Sequence, residues 1–256
     1  MNKLVFLGKG SADWELADKE NGFFRRNSAA LINDDLMIDC GEYIFDFAQE
    51  TGNDKLYANV SDILITHPHS DHFNRNTVLH IAQNRKIRVA CDGIARKEIG
   101  EHDNIEYISL VPYQANKMGE YEVVPVFANH QMICSEQGRA YHYIIKTQDN
   151  KCIFYGLDGA WFLCPSWEEM LKHKYDVMVL DCTVGDFHDW RVFEHNTIPM
   201  LRHMVEEIKA KELVKESGCI IASHLAKTMH NPHDETKVCL AEFGMLTAFD
   251  GMEIEF

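Results

Sequence analysis

The 256-residue sequence lacks the run of about 18 apolar residues that a membrane-spanning helix requires. Residues 1–8 lack the length and the cleavage pattern of a secretory signal, so we expect a cytoplasmic protein. The cysteines are dispersed without a C-x-x-C pair, and several lie inside apolar runs, as Cys152 does. We therefore expect reduced, mostly buried thiols rather than disulfide bonds.

Positive charge is also scarce, because 25 Lys and Arg residues face 40 Asp and Glu residues, for a net charge of -15. Such a chain repels the phosphate backbone, which argues against broad nucleic-acid binding. No repeat, low-complexity tract or evident linker interrupts it, so we predict a single domain over residues 1–256. We expect a small-molecule substrate and neither a nucleic-acid nor a membrane partner, with a homodimer as the candidate assembly.

A dense cluster of metal-binding residue types follows one apolar run. Residues 63–72 read Ile-Leu-Ile-Thr-His-Pro-His-Ser-Asp-His. In an extended segment His67 and His69 lie on the same side, and Asp71 and His72 follow at once. Imidazole and carboxylate groups are ligands of zinc, manganese and iron. The alternative is a histidine-rich surface loop, which the neighbouring buried strand disfavours, so the stretch predicts a metal site.

Short apolar runs alternate with helical patterns along the rest of the chain. The first forty residues predict a β-meander, and residues 139–156 predict a hairpin that turns at Asp149 and Asn150. Asn74 is a predicted cap of the helix that follows, and Ser166 is a predicted cap of a helix over 166–174. Strands interleaved with helices indicate an α/β architecture in layers.

One loop cannot complete a coordination shell, and further ligand types stand at the ends of later apolar runs. His130, Asp158 and His224 are each the first strong ligand after such a run, and Asp181 is a fourth candidate. Ligands converge where several strand ends meet at one edge of a sheet. From the residues alone, Asp158 and Asp181 compete for the place of a carboxylate that bridges two ions.

The order H-x-H-x-D-H, His, Asp, His resembles that of the metallo-β-lactamase superfamily of hydrolases. The stretch Phe6-Leu7-Gly8-Lys9-Gly10-Ser11 and the Asp-Cys-Gly of residues 39–41 share in the resemblance. It implies a four-layer αββα sandwich and two divalent ions, with zinc expected first and manganese or iron as alternatives.

The resemblance also implies a role for each ligand. One ion would be held by His67, His69 and His130, and the other by Asp71, His72 and His224. Asp158, in Phe-Tyr-Gly-Leu-Asp-Gly, is close to the superfamily pattern and is therefore favoured as the bridging ligand. Asp181 and Asp39 would then orient ligand imidazoles.

His69 stands where redox-active diiron relatives carry a glutamate, which favours hydrolysis by a metal-bridging hydroxide. The opening strand and Arg26-Asn27-Ser28-Ala29 are similar to the group that contains ribonuclease Z and the cyclic phosphodiesterase of phosphonate breakdown. That similarity implies a further histidine before the last ligand. His195 is the best match, with Glu194 as a candidate orienting partner and His188 as its competitor; the alternative is a surface histidine at a helix start.

These observations lead to one functional hypothesis and two alternatives. The chain is interpreted as a dinuclear phosphodiesterase for a small or cyclic phosphodiester, with Asp71 and His195 as catalytic residues. The first alternative is a metal-dependent lactone, thioester or amide hydrolase. The second is a superfamily member that binds metal without catalysis.

Overall fold

The computed structural model describes residues 1–21, 24–53, 55–130 and 138–256. The chain divides into two compact units. The first consists mainly of Met1–Leu110 and Phe249–Glu255, and the second mainly of residues 111–130 and Ala140–Ala248. The expectation of a single domain stays a prediction.

The first unit is built on a mixed sheet that has seven strands within the described residues. In chain order they are β1 (Lys3–Gly8), β2 (Ala29–Ile32), β3 (Leu36–Ile38), β4 (Asp62–Leu64), β5 (Ile87–Ala90), β6 (Ile105–Tyr107) and β14 (Glu253–Glu255). Their order across the sheet is β14-β1-β2-β3-β4-β5-β6. The helices of this unit are α1 (Ile44–Thr51), α2 (Arg75–Ala82) and α3 (Gly93–Ile99), with a 3-10 turn at Leu16–Asn21.

The second unit also has a mixed sheet of seven strands in the part of the chain that is described. They are β7 (Asn116–Met118), β8 (Tyr121–Phe127), β9 (Tyr141–Lys146), β10 (Cys152–Gly156), β11 (Tyr175–Asp181), β12 (Val214–Ser223) and β13 (Leu246–Thr247). The order is β13-β12-β11-β10-β9-β8-β7. Its helices are α4 (Cys164–Met170), α5 (Ile198–Ala210) and α6 (His233–Ala241), with a 3-10 turn at Trp190–Phe193.

The two sheets share one pairing scheme. In the first, β14, β1, β2 and β3 pair antiparallel, and β3 to β6 pair parallel. In the second, β7 to β10 pair antiparallel, and β10 to β13 pair parallel. The switch falls at β3 and at β10. Loops that leave the carboxyl ends of parallel strands gather at one edge of a sheet, where ligand sites commonly form.

Each unit buries its own apolar core. In the first, Leu31, Met37 and Ile63 of the sheet and Ile44 of α1 are fully buried in one cluster. In the second, the cluster joins Phe154 and Met178 of the sheet to Leu201 and Ile208 of α5. Residues on α5 that are three to four positions apart share one face, which explains why its apolar positions meet the sheet together.

Several predictions of local structure are confirmed. The β-meander is formed by β1, β2 and β3. The side chain of Asn74 accepts hydrogen bonds from the first backbone N–H groups of α2, as expected of a cap. Strands β9 and β10 form the predicted hairpin, and Asn150 at its turn has a positive φ of 61°.

The predicted cap at Ser166 is wrong. Helix α4 begins at Cys164, with Leu163 in the capping position and Pro165 in its first turn. Proline suits that turn because its missing N–H would have no partner there. The hydroxyl of Ser166 instead donates to the carbonyl of Phe127, at 2.7 Å.

Within the described residues, none of the helices is both long enough and apolar enough to cross a membrane.

Candidate metal centre

The histidine motif follows β4 in the first unit and forms two close donor pairs. Nε2 of His67 lies 3.0 Å from Nδ1 of His69. Nε2 of His72 lies 3.6 Å from Oδ2 of Asp71. His67, Asp71 and His72 are buried, and His69 is half-buried. The local chain geometry therefore brings together two pairs of atoms that could bind metal.

A carboxylate and a hydroxyl orient these imidazoles from behind. Asp39, directly after β3, accepts a hydrogen bond from Nδ1 of His72 at 2.7 Å. It also accepts one from the hydroxyl of Thr66, at 2.9 Å, and that hydroxyl lies 3.1 Å from Nδ1 of His67. Holding Nδ1 leaves Nε2 of each ring as the metal-binding nitrogen. The predicted supporting contact of Asp39 is thus present.

Asp158 lies just beyond the end of β10 in the second unit and is the centre of its donor group. Its Oδ1 lies 3.0 Å from Nε2 of His224, and its Oδ2 lies 3.6 Å from Nε2 of His130. All three side chains are almost fully buried. One carboxylate therefore directs its two oxygens at two different imidazoles, which is the geometry that a bridging ligand needs.

Behind this donor group, Asp181 and Thr183 repeat the pattern of the first unit. The hydroxyl of Thr183 donates to Oδ2 of Asp181, at 3.0 Å, and accepts from Nδ1 of His224, at 2.7 Å. The backbone N–H of Thr183 also donates to Asp181, at 2.9 Å. As in the first unit, an aspartate and a threonine hold the far nitrogen of a histidine.

His195 joins this group from the loop before α5. Its Nδ1 donates to Oδ2 of Asp181, at 2.8 Å, and its ring centre lies 5.0 Å from that of His130. Burial disfavours the charged imidazolium, but the carboxylates of Asp181 and Asp158 outweigh burial and raise the pKa of His195. Burial likewise opposes ionisation of Asp181, yet His195 and His224 hold its pKa below the ordinary value.

The structure bears on three sequence expectations about His195. The alternative of a surface histidine is wrong, because His195 is only 8% exposed. A carboxylate oxygen of Glu194 lies within 4.8 Å of His195, but the described hydrogen bond of the His195 ring to a carboxylate goes to Asp181. The backbone carbonyl of Glu194 lies 3.4 Å from Nδ1 of His130. The competitor His188 is exposed.

The donor distances fit a first-row metal ion. Two donors bound tetrahedrally at about 2.05 Å from one ion lie about 3.3 Å apart. The pairs above, two in each unit, are 3.0 to 3.6 Å apart. Neutral imidazoles together with carboxylates are also a donor set that suits zinc, manganese and iron.

Strained backbone marks three of these positions. Asp39, Asp158 and His224 have φ values of 59°, 49° and 60°. Residues with a Cβ rarely adopt this left-handed conformation, and such strain concentrates at functional sites. In each case the residue closely follows a strand that pairs in parallel with a neighbour.

The sequence did not predict the contacts of Thr66 and Thr183. Each hydroxyl lies between an aspartate and a histidine, at 2.7 to 3.1 Å. A faint signal exists in the sequence, because Thr66 directly precedes the H-x-H pair and Thr183 follows Asp181 by two residues. An isolated threonine after an apolar run is too common to be informative without the partner it meets.

Comparison with solved structures identifies the fold over the whole chain. The metallo-β-lactamase fold protein YhfI from Bacillus subtilis superposes with a TM-score of 0.75 at 14% identity, covering 100% of this chain and 99% of that one. The chain has the metallo-β-lactamase fold. This confirms the predicted α/β fold class and, at the level of the fold, the predicted resemblance.

Two further solved structures are similar over nearly their full length. A diphosphatase from the PhnP family gives a TM-score of 0.72 at 19% identity, covering 100% of this chain and 97% of that chain. Human tRNase Z, short form, gives 0.67 at 15% identity, with 99% and 98% covered. No protein-family profile and no curated protein sequence matches the chain. At identities this low, structural similarity shows the fold alone. The activity has to be argued from the site.

Proposed function

We propose that the chain is a dinuclear metal-dependent phosphodiesterase that acts on a small or cyclic phosphodiester. The observation that carries the proposal is the His195–Asp181 pair, joined at 2.8 Å and adjacent to the donor group of Asp158. A buried imidazole held by a buried carboxylate is the arrangement of a general acid or base.

The proposed ligand sets follow the superfamily resemblance. His67, His69 and His130 would bind one ion, and Asp71, His72 and His224 the other, with Asp158 shared between them. The separate orientation of the two Asp158 oxygens supports the shared role. When bound, two such ions supply Lewis acidity and a nucleophile derived from water at neutral pH.

The chain's own residues would orient the ligands and move a proton. Asp39 and Asp181, with their threonines, fix the ring orientation of His72 and His224. Because Nδ1 of His195 is held by Asp181, Nε2 is the atom that would deliver a proton to the leaving oxygen. A phosphodiester with an alkoxide leaving group needs that proton, since an alkoxide is a poor leaving group.

Two of the structural neighbours support chemistry at phosphorus. One is a diphosphatase and another is a tRNase. The net charge of -15 argues against a long nucleic acid as the substrate of this chain. A small phosphodiester is therefore the substrate class that best fits both observations.

The test compares substrates that differ in their need for an acid. Enzyme reconstituted separately with zinc, manganese and iron would be assayed on bis(p-nitrophenyl) phosphate, a 2′,3′-cyclic nucleotide, a p-nitrophenyl ester and a lactone. His195→Ala should slow hydrolysis of the cyclic nucleotide by about 10²- to 10⁴-fold. It should slow hydrolysis of the p-nitrophenyl diester far less, because nitrophenolate leaves without a proton. His188→Ala is the matched control from the same segment and should leave both rates unchanged.

Other outcomes would redirect the assignment. Turnover of the ester or lactone alone would move the reaction to a carbonyl centre. Equal losses on both phosphodiesters in His195→Ala would remove His195 as the leaving-group acid. Two bound ions with no turnover of any substrate would favour the non-catalytic alternative.

A further inference from the structure

A concave site lies in the second unit, between the segment after β10 and the helices α4 and α5. It is a cavity of about 380 Å³. That volume is within the range of small-ligand pockets. Its lining includes none of the donor residues described above, so it is a separate site whose occupancy does not depend on the proposed function.

Aromatic side chains form one side of this cavity. The rings of Phe162 and Trp167 stack at 6.1 Å, with an angle of 7° between their planes. Trp161 also lines the cavity and is 46% exposed. Its backbone N–H donates to Oδ1 of Asn196 at 2.8 Å, and its φ is 56°. The fold thus holds this indole at the cavity through a strained backbone.

The remaining lining consists of Cys164, His203, Met204 and two glutamates. Glu168 of α4 and Glu207 of α5 both line the cavity and are exposed. The structure describes no ion pair for either glutamate, and no described lysine or arginine lines the cavity. His203, also in the lining, lies 3.7 Å from the carboxylate of Glu206 on its own helix. Two glutamates without a described ion pair therefore line the same cavity as the aromatic side chains.

We propose that this cavity binds a small organic ammonium ion. The negative faces of the aromatic rings attract a cation, and desolvation by an apolar wall strengthens that attraction. The carboxylates of Glu168 and Glu207 supply charge complementarity, and the overall charge of -15 adds to it. A neutral molecule of the same shape would gain only the apolar contact, and an anion would be repelled.

The first measurement compares two probes of equal shape. Choline carries the charge, and 3,3-dimethylbutan-1-ol replaces its nitrogen by carbon. Calorimetric titration at pH 8 and 50 mM NaCl should show choline binding at least five-fold more tightly than the alcohol. Raising NaCl to 500 mM should weaken choline binding several-fold, because exposed carboxylates are screened by salt.

Single substitutions then assign the site. Glu168→Gln and Glu207→Gln should each weaken choline binding at least three-fold, and Trp161→Leu should do the same because it keeps an apolar side chain without the ring. The matched controls are Glu216→Gln on β12 and Trp190→Leu, which change exposed residues of the same unit outside the cavity. Both should bind choline like the parent, and thermal unfolding would verify that every variant is folded.

The proposal fails on any of four results. Equal affinity for choline and the alcohol would make the cavity a general apolar site. Unchanged choline binding in the three cavity variants, or no binding at 50 mM choline, would place the cation elsewhere or nowhere. Self-association that Trp161→Leu abolishes, measured by sedimentation, would make a second copy of the chain the occupant.

Discussion

The hydroxyl of Thr183 lies 2.7 Å from Nδ1 of His224. The same hydroxyl donates to Asp181, so it can only accept from the imidazole, and His224 must carry its proton on Nδ1. That tautomer presents the lone pair of Nε2 toward Asp158. A threonine without charge therefore selects the protonation state of a proposed ligand.

Thr183→Val is the first prediction from this contact. The valine has nearly the same shape but cannot accept a hydrogen bond, so His224 loses its orientation. Metal affinity should fall about 10- to 100-fold, as is typical when a ligand loses its supporting partner. Competition with a chromophoric chelator measures it. Thr236→Val is the control, because that buried hydroxyl donates to the carbonyl of Asn231 and touches no proposed ligand.

A second prediction concerns metal stoichiometry. If Asp158 is shared by two ions, the parent protein should bind two ions per chain, and Asp158→Asn should bind fewer than two and lose turnover. Elemental analysis after dialysis measures both. Two tightly bound ions in Asp158→Asn would exclude the bridging role.

Close packing behind Asp158 leads to a third prediction. A Cβ added at Gly159 would lie 2.8 Å from Nε2 of His142, a fully buried ring. Gly159→Ala should therefore destabilise the protein by about 1–3 kcal/mol, because a tightly packed site has no room for a methyl group. Urea unfolding measures the loss.

The double variant provides the control for that clash. His142→Ala removes the ring that the new methyl group meets. Gly159→Ala should then cost markedly less in the His142→Ala background than in the parent, since residues in contact are not additive. Equal costs in both backgrounds would show that the clash with His142 is not the cause.

The fourth prediction is on stability and pH, away from the metal centre. Asp176 is buried and pairs with Nζ of Lys215, at 2.6 Å, and Nζ of Lys151, at 3.1 Å. It also accepts from the backbone N–H of Cys152, at 2.8 Å. Burial opposes its ionisation, but these hydrogen bonds outweigh burial and lower the pKa of Asp176.

The pKa of an aspartate in the unfolded chain is about 3.9. A carboxyl group with a lower pKa in the folded state stabilises that state fully at pH values above about 3.9, and this stabilisation is lost as the pH falls through the folded-state pKa. Asp176→Asn should therefore cost about 2–3 kcal/mol at pH 7, with the cost shrinking on acidification below pH 4. Denaturant unfolding across pH measures this. Glu122→Gln removes the exposed pair with Lys146 and should change stability by less than about 1 kcal/mol.

Much of the site was predictable because its residues carry their chemistry locally. The H-x-H-x-D-H motif indicates candidate metal ligands through its residue types and their spacing. Asp158 and His224 each follow an apolar run, and the structure puts Asp158 between two imidazoles. Local signals also predicted the cap at Asn74 and the turn at Asn150, since those depend on neighbouring backbone groups.

The spacing of residues along the sequence could not predict contacts between residues that are far apart in the chain. The sequence suggested Glu194 as the partner of His195 because the two are adjacent, whereas Asp181 lies fourteen positions earlier. Parallel pairing of β11 with β12 brings the end of one strand, with Asp181, beside the end of the other, with His224. The connection before α5 then returns His195 to the same edge, so that three residues distant in sequence meet.

The amino-acid order therefore predicts the candidate metal-binding residues and the ends of several strands, since both follow from side-chain chemistry and local apolar patterning. The tertiary structure assigns the partners: Asp39 to His72, Thr183 to His224 and Asp181 to His195. It does so because hydrogen bonds act over about 3 Å, and only the packed sheet brings strand ends from separate parts of the chain within that distance.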